Sequence, residues 1–137
     1  MRNMQNRSIP RVTVIPELPY ADVGEAIDWL SAAFGFRLRL RIGNHRAQMH
    51  VGEDGAIAIT ERRSDACSSA VLVRVENLDE HYARSKERGA RIVREPEDHM
   101  YGERQYTAQD LGGHFWTFSQ SIADVDPASW GGTVVAL

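Results

Sequence analysis

Five histidines and one cysteine are the residues of this 137-residue chain best suited to bind a metal ion or attack a substrate. The histidines are His45, His50, His81, His99 and His114. No two of them have the i, i+4 spacing that brings two imidazoles together on one helix face. Cys67 lies in the polar run RRSDACSS without metal-type neighbours, which is typical of an incidental loop cysteine. The sequence therefore predicts neither a zinc motif nor a thiol nucleophile.

Two polar pairs near the C-terminal end carry groups that can move protons or bind charges. Asp110 and His114 flank two glycines in DLGGH, and Glu103 and Arg104 are adjacent in YGERQY. An aspartate in such a turn usually accepts hydrogen bonds from its own backbone, and Arg104 suits a structural ion pair or a rim contact. General acid–base catalysis needs a base and a group that positions it, and no such set has support. No catalytic residue is predicted.

Composition narrows the choice of partners. A net charge of −3 and a pI near 5.9 give no basic footprint for nucleic acid. No run approaches 18 apolar residues, so no membrane span is predicted. The opening MRNMQNRSIPR lacks the apolar stretch of a secretory signal. These features favour a cytoplasmic protein that binds neither nucleic acid nor a membrane.

The first half of the chain shows a strand, a helix and three further strands. The β-branched run RVTVIPELPY predicts a strand from Arg11 to Tyr20, and Pro16 and Pro19 indicate that it ends there, lies at a sheet edge or contains a bulge. Asp22 is a predicted N-cap for the helix VGEAIDWLSAAF, which ends at Gly35. The strands FRLRLRIG, RAQMHVG and AIAITER follow. The first alternates apolar and basic residues, which predicts Phe36, Leu38, Leu40 and Ile42 on one face and Arg37, Arg39 and Arg41 on the other.

The same pattern then starts again after a polar linker at residues 64–69. The strand AVLVRVEN leads to a helix capped by Asn77 or Asp79 and stopped by Gly89, and then to ARIVREP and the hairpin YGERQYTAQDLGGHFWTFSQ. Helix starts and glycine stops recur at a nearly constant offset, which indicates a duplicated module. The prediction is one α+β domain of two βαβββ repeats, at 11–63 and 69–120. Residues 1–10 are a predicted flexible tail. The C-terminal tail, 121–137, can dock around Trp130 or add the edge strand TVVAL.

Three motifs carry a family resemblance. LPYAD with GEAIDWLSAAFGF, then VLVRVENLDEHYARSKERGARIVREP, then the closing hairpin resemble in order the vicinal-oxygen-chelate superfamily, although Leu111 stands where that family usually has proline. The superfamily includes glyoxalase I, extradiol dioxygenases, fosfomycin-modifying enzymes and bleomycin-resistance proteins. The resemblance covers residues 11–120. It implies that each repeat forms half of a cup, and that two repeats, from one chain or swapped between two, close a ligand cleft.

The resemblance also locates the positions where metal-dependent members carry His, Glu or Gln. The matching positions here are Ile15, Ala58, Ala70 and Thr117. None of these side chains supplies the imidazole, carboxylate or thiolate that a divalent metal site needs. The resemblance therefore implies no metal ion and no other cofactor.

If Thr117 faces inward, the alternation of strand side chains predicts the rest of the cleft. The predicted ligand-binding residues are Ile15, Glu17, Ala58, Thr60, Ala70, Leu72, Arg74, Tyr101, Tyr106, Phe115 and Thr117. Small side chains at Ala58 and Ala70 leave volume for a bulky ligand, and Phe115 can stack on a planar group. Glu17 is placed to meet a cation. The expected partner is thus an aromatic or cationic small molecule.

Three functions remain open from the sequence. The first is a metal-independent homodimer of the bleomycin-resistance type, swapped or side by side, which sequesters a hydrophobic or aromatic compound such as an antibiotic. The second is a divergent metal-dependent lyase, isomerase or dioxygenase whose ligands lie at other positions. The third is an interaction protein whose cleft is filled by its own side chains. The missing metal donors favour the first.

Overall fold

The computed structural model describes residues 6–62 and 68–134 and contains two βαβββ halves. The first half contains β1 (Glu17–Tyr20), α1 (Val23–Phe34), β2 (Arg37–Ile42), β3 (Arg46–Val51) and β4 (Gly55–Glu61). The second contains β5 (Ala70–Arg74), α2 (Leu78–Glu87), β6 (Arg91–Asp98), β7 (Glu103–Gln109) and β8 (Phe115–Ser121), followed by the 3-10 helix Pro127–Trp130. The predicted α+β fold of two repeats is confirmed. Cys67 and most of the predicted linker lie outside the described residues.

Each half forms its own four-stranded sheet. The N-terminal sheet has the order β1-β4-β3-β2 and the C-terminal sheet the order β5-β8-β7-β6. In both, the first strand pairs parallel to the last, and the other pairs are antiparallel. β1 lies at an edge, where Pro19 costs no ladder hydrogen bond on its open side. The strand begins only at Glu17, however, so the prediction of a strand from Arg11 is wrong for residues 11–16.

Local capping explains where the helices begin and end. The Asp22 side chain accepts a hydrogen bond from the Glu25 amide at 2.9 Å, and Gly35 ends α1 with a φ of 77°. Asn77, and not Asp79, caps α2 by accepting from the Glu80 amide at 3.2 Å. Among the described residues, no helix is long and apolar enough to cross a membrane.

Both helices pack on one side of the sheets and share one core. Phe34, at the end of α1, contacts Trp116 and Phe118 of β8 with ring centroids 5.8 and 4.9 Å away. Arg84 of α2 donates from Nε to the carbonyl of Ala32 at 3.1 Å. The apolar surface of each half is therefore buried against the other, and the halves do not have separate cores. The opposite side of each sheet carries no helix; we call it the helix-free face.

The strongest polar connection between the halves is the buried carboxylate of Asp110, in the β7–β8 turn. Its Oδ1 accepts from the amides of Gly112 at 2.9 Å and His114 at 3.0 Å, which closes the turn. Its Oδ2 accepts from the hydroxyl of Tyr20 at 2.6 Å and from Nε1 of Trp116 at 2.9 Å. Burial, and then the neighbouring Asp110 carboxylate, raise the pKa of Tyr20, so this hydroxyl keeps its proton.

His114 makes a second connection beside the first. Its ring is completely buried, accepts from the Ser69 amide through Nδ1 at 2.9 Å and donates from Nε2 to the Pro19 carbonyl at 2.7 Å. This donor and acceptor pattern fixes the neutral tautomer with the proton on Nε2. Gly112 lies against Tyr20 so closely that a Cβ there would be 2.6 Å from the Tyr20 ring. The hairpin turn is thus the junction of the two halves.

The alternation predicted for β2 is interrupted by a β-bulge. The pairing with β3 shifts between Leu38, opposite Met49, and Leu40, opposite Gln48. Leu38 therefore shares the helix side with Met49, while Leu40 lies on the helix-free face. The prediction of four apolar residues on one face and three arginines on the other is wrong for this reason.

Replacing Asp110 with asparagine is expected to lower the free energy of unfolding by about 3 kcal/mol or more. The new amide would point N–H groups at the Tyr20 hydroxyl and the Trp116 indole, and the buried indole would lose its acceptor. Urea unfolding of both proteins measures the difference. Asp126→Asn is the matched control, because Asp126 caps only the exposed 3-10 helix and its loss should cost below about 1 kcal/mol. Equal losses in the two variants would contradict this role of Asp110.

Candidate ligand site

The helix-free face of the C-terminal sheet carries a groove of about 370 Å³. Its floor consists of side chains from β7 and β8 that share one face by register, and β6 and the β6–β7 loop form its wall. The floor residues are Gln105, Thr107, Phe115 and Thr117, and the wall includes Arg94, Glu95, Glu97, His99 and Tyr101. This volume lies within the range of small-molecule pockets.

Hydrogen bonds between neighbouring strands fix the floor of the groove. Oγ1 of Thr107 and Oγ1 of Thr117 are 2.8 Å apart. Gln105 donates from Nε2 to Oγ of Ser119 at 3.0 Å, and the Ser119 hydroxyl donates to Oε1 of Glu103 at 2.6 Å. These groups satisfy one another, so a ligand meets side chains that are already ordered. The arrangement suits binding more than proton transfer.

The charge at the end of the floor is set by Glu103. Hydrogen bonds from Ser119 and Ser121, with a smaller contribution from Arg74, lower the pKa of this carboxyl, against a small opposing effect of desolvation. Along the wall, Glu95 and Glu97 outnumber Arg94. The local charge therefore favours a ligand with a cationic group.

Aromatic rings line one rim of the groove. The rings of His99 and Tyr101 stack with 5.1 Å between centroids and 6° between planes, and the Tyr101 hydroxyl donates to Oε1 of Gln105 at 3.1 Å. The ring of Trp130 also contacts Tyr101, with 5.5 Å between the ring centroids. The C-terminal tail thus docks through Trp130, while the predicted edge strand TVVAL extends beyond the described residues.

The structure brings together the predicted residues of the second half. Phe115, Thr117 and Tyr101 line the groove. Ala70, Leu72 and Arg74 lie beside the floor on the same face, because they pair in register with Phe115, Thr117 and Ser119. All three are exposed, and Leu72 retains 65% of its accessible surface.

Tyr106 also borders the groove, but its ring does not face it, so the prediction that this ring stacks at the rim is wrong. It pairs with Phe118, so its side chain lies on the helix side of the sheet and is only 1% exposed. Its hydroxyl is 2.5 Å from Nδ1 of His81 and 2.9 Å from Oγ of Ser85. Burial raises the pKa of Tyr106. The residue belongs to the core.

The predicted residues on β1 and β4 of the first half share one face, as expected. Glu17 pairs with Ala58 and lies two positions from Pro19, which pairs with Thr60, so Glu17, Ala58 and Thr60 share the helix-free face of the N-terminal sheet. Ala58 is only 3% exposed, and Glu17 forms an ion pair with Arg46 at 3.0 Å. Ile15, half-buried, precedes β1. Ala58 is therefore covered in this chain, and the Glu17 carboxylate already has a cationic partner in Arg46.

The N-terminal segment lies on this face. Gln48, which is opposite Ala58 on β3, donates from Nε2 to the Ser8 carbonyl at 2.9 Å, and Pro10 is buried. Residues 7–10, which we call the strap, were expected to belong to a flexible tail. The structure holds them against the N-terminal sheet, so the two helix-free faces are not equivalent.

The residues present do not fit a divalent metal at the positions implied by the family resemblance. Ile15, Ala58 and Ala70 have no donor atom, and the Thr117 hydroxyl is bonded to Thr107. Within residues 6–62 and 68–134, no group of three or more His, Cys, Asp or Glu side chains is placed to hold a metal ion. Arg104 forms ion pairs with Asp79 at 3.0 Å and with Asp98 at 2.9 Å. Its role is therefore structural.

Sequence reasoning missed the wall of the groove. The pairing of β6 with β7 shifts register twice, between Ile92 and Arg94 and again before Glu97. Arg94 and Glu97 are three positions apart, so a strict period of two would place them on opposite sides of the sheet, and these irregularities bring both to the groove. The stacking of His99 on Tyr101 had no sequence signal, because it depends on the loop conformation.

Comparisons with known proteins agree with this fold. Residues 9–118 match the family model described as Glyoxalase/Bleomycin resistance protein/Dioxygenase superfamily. The solved structure of TioX from Micromonospora sp. ML1 is 38% identical, with a TM-score of 0.70 over 79% of this chain and 97% of that one. A search of curated proteins found no match.

Two further solved structures have the same fold at lower identity. TnmS3, an antibiotic binding protein from Streptomyces sp. CB03234, is 22% identical, with a TM-score of 0.67 over 81% of this chain and 98% of that one. A glyoxalase/bleomycin resistance protein from Streptomyces sp. CB03234 is also 22% identical, with a TM-score of 0.66 over 77% of this chain and 97% of that one.

Acidification is expected to destabilise the protein through His81. Burial, helped by the nearby charge of Arg84 and opposed by a backbone hydrogen bond to Phe34, lowers the pKa of His81 from 6.5 to about 4. Between pH 6.5 and pH 4, His81 binds a proton in the unfolded chain but not in the folded one. The free energy of unfolding therefore has its full value above pH 6.5 and falls by up to about 3 kcal/mol towards pH 4. Urea unfolding at several pH values measures this slope.

Two variants of this pair test the assignment. His81→Gln should flatten the slope between pH 6.5 and 4.5, whatever its effect on absolute stability. Tyr106→Phe removes the hydroxyl beside His81 but keeps the ring buried, so it should retain most of the slope. A His81→Gln protein with the wild-type slope would show that other groups cause the pH dependence.

Proposed function

Because the chain belongs to the Glyoxalase/Bleomycin resistance protein/Dioxygenase superfamily, we propose that it is a metal-independent binding protein for a small aromatic or cationic compound. The ligand lies in the groove of the C-terminal sheet and is sequestered without chemical change. The protein acts as a cytoplasmic homodimer. The single observation that carries this proposal is the ordered floor of the groove beside its aromatic rim.

The lining supports an aromatic ligand. Phe115 is half-buried on the floor, and the stacked pair His99 and Tyr101 stands at the edge of the same groove. A planar ring placed between them gains stacking contacts as well as burial of apolar surface. The carboxylates of Glu95 and Glu97 add attraction for a cation.

The relatives support the class of function. TnmS3 is an antibiotic binding protein, and its likeness to this chain extends to the fold. An antibiotic is therefore a reasonable first ligand to test. The identity of the compound is left to experiment, because the groove is open on the side away from the sheet.

The exposed apolar residues support a homodimer. Leu72 on β5 and Ile42 on β2 lie on helix-free faces and are 65% and 53% exposed. A second copy of the chain that covers these faces removes apolar surface from water and turns each open groove into a closed cleft. Such an arrangement brings one chain's N-terminal sheet, with its strap, near the partner's groove.

Ligand binding is expected to change the fluorescence of Trp130. This side chain contacts Tyr101 at the rim, whereas Trp116 is completely buried and Trp29 lies on α1. Titration with a panel of aromatic and peptide antibiotics should give at least one dissociation constant below about 1 mM, which corresponds to about −4 kcal/mol. The dissociation constant is expected to be the same in the presence of EDTA, because the proposed binding involves no metal ion. Failure of the whole panel in fluorescence and calorimetry would contradict the proposal.

Phe115→Ala should weaken binding of that ligand about tenfold, because it removes the stacking surface of the floor. Leu111→Ala is the matched control, since Leu111 is an exposed apolar residue of the β7–β8 turn outside the groove lining. An equal loss in both variants would place the ligand elsewhere. In Trp130→Phe the fluorescence change should disappear while calorimetry still detects binding.

Leu72→Asp is expected to convert the dimer to a monomer. Burying a carboxylate in an apolar contact is costly, and the aspartate remains solvated on the free chain. Sedimentation equilibrium should give twice the chain mass of 15.4 kDa for the wild type and the single mass for the variant. Met100→Asp, which changes another apolar residue that is 74% exposed but lies outside the sheets, is the control and should remain dimeric. A monomeric wild type at micromolar concentration would contradict the homodimer.

A further inference from the structure

The strap is held through its main chain. Arg39 donates from Nη2 to the carbonyls of Arg7 at 3.0 Å and Ile9 at 3.1 Å, and Gln48 donates to the carbonyl of Ser8, which lies between them. Three successive carbonyl oxygens are thus bound by two side chains. The side chain of Ile9 remains 49% exposed, so it contributes little to recognition.

The two donors are also hydrogen-bonded to each other. Nη1 of Arg39 donates to Oε1 of Gln48 at 2.5 Å, which orients the amide so that its NH2 points away from the arginine. Arg39 follows Leu38, which lies on the helix side, so the alternation of the strand places its guanidinium on the helix-free face with Gln48. The β2 bulge then keeps Leu40 on this face as well, whereas a regular strand would return it to the helix side.

The side chains next to Gln48 on the helix-free face are small. Ala56 and Ala58 of β4 are 5% and 3% exposed and share the helix-free face with Gln48. Small side chains allow a backbone to approach the sheet closely. Pro10, which has no amide hydrogen to satisfy, is the buried residue at the end of the strap.

The strap lies in a turn, because the Ile9 amide donates to the Asn6 carbonyl at 3.4 Å and the Ser8 amide donates to the Asn6 side chain at 3.0 Å. We propose that the helix-free face of the N-terminal sheet is a second binding site, specific for a peptide-like main chain in such a turn, and that the strap is its exchangeable occupant. The site takes ligands that present successive amide carbonyls to Arg39 and Gln48 and that carry a proline directly after them. Its occupation by the same chain gives the strap a high effective concentration, so an external peptide binds only when the strap is removed or outcompeted. Within one chain this site lies on a different sheet from the groove, and neither proposal depends on the other.

A peptide supplied in trans tests the site directly. The probe is the peptide of residues 6–11, NRSIPR, blocked at its N-terminus and labelled with a fluorophore at its C-terminus. A chain that lacks residues 1–10 should bind it with a dissociation constant below about 1 mM, and the full chain should bind at least tenfold more weakly. Gln48→Ala in the shortened chain should weaken binding at least tenfold. No anisotropy change with a folded shortened chain would overturn the proposal.

A matched peptide distinguishes recognition of the main chain from nonspecific hydrophobic binding. The Ile9→Ala peptide should bind within twofold of the original, because the Ile9 side chain is half exposed. A much weaker Ile9→Ala peptide would overturn the main-chain mode of recognition.

Trypsin cleavage after Arg7 gives a second readout in the full chain, should the shortened chain not fold. In the wild type, the Arg7 carbonyl is bound by Arg39, which protects the Arg7–Ser8 bond. Gln48→Ala should raise the rate of this cleavage at least fivefold, and cleavage after exposed Arg88 in the same digest normalises the rates. Equal normalised rates in wild type and variant would also overturn the proposal.

Discussion

One buried carboxylate connects the two halves of this molecule. Asp110 accepts four hydrogen bonds, two from its own turn, one from Trp116 on the strand that follows and one from Tyr20 on β1 of the other half. A buried carboxylate is tolerated only when its lone pairs are satisfied, so each donor must be in place for the others to be useful. The contact of Gly112 with Tyr20 and the two hydrogen bonds of His114 surround the same point. The relative position of the sheets follows from this junction and from the packing of Phe34 against β8.

The sequence was sufficient where structure is local and periodic. The caps at Asp22 and Gly35, the alternation of β8 and the repeated order of elements each follow from a few adjacent residues, and together they determine the fold. The family resemblance then supplied the arrangement that no local pattern contains. Prediction failed at the bulges, because one extra residue in β2 or β6 moves every later side chain to the other face. It failed for the strap because the polar run NRSIPR has the composition of a loose terminus, and its ordering depends on Arg39 and Gln48 more than thirty residues away.

The two repeats have the same topology but use their surfaces differently. In the C-terminal half, the helix-free face is open, with an ordered floor of threonine, glutamine and serine side chains. In the N-terminal half, the corresponding face is covered by the chain itself, and its alanines are buried. A duplicated module therefore supplies two sheets of the same topology, one with an open face and one with a face covered by its own chain, without any change in the order of strands.

The docking of Trp130 on Tyr101 has a consequence for how such a protein can diversify. The tail that carries Trp130 lies beyond residues 9–118, the part shared with the family, and none of its described residues belongs to the common core. Substitutions there can reshape one rim of the groove without a penalty in folding. The chemistry of this rim can therefore change through an appended segment, while the duplicated scaffold remains constrained by the contacts of Asp110 and Gly112.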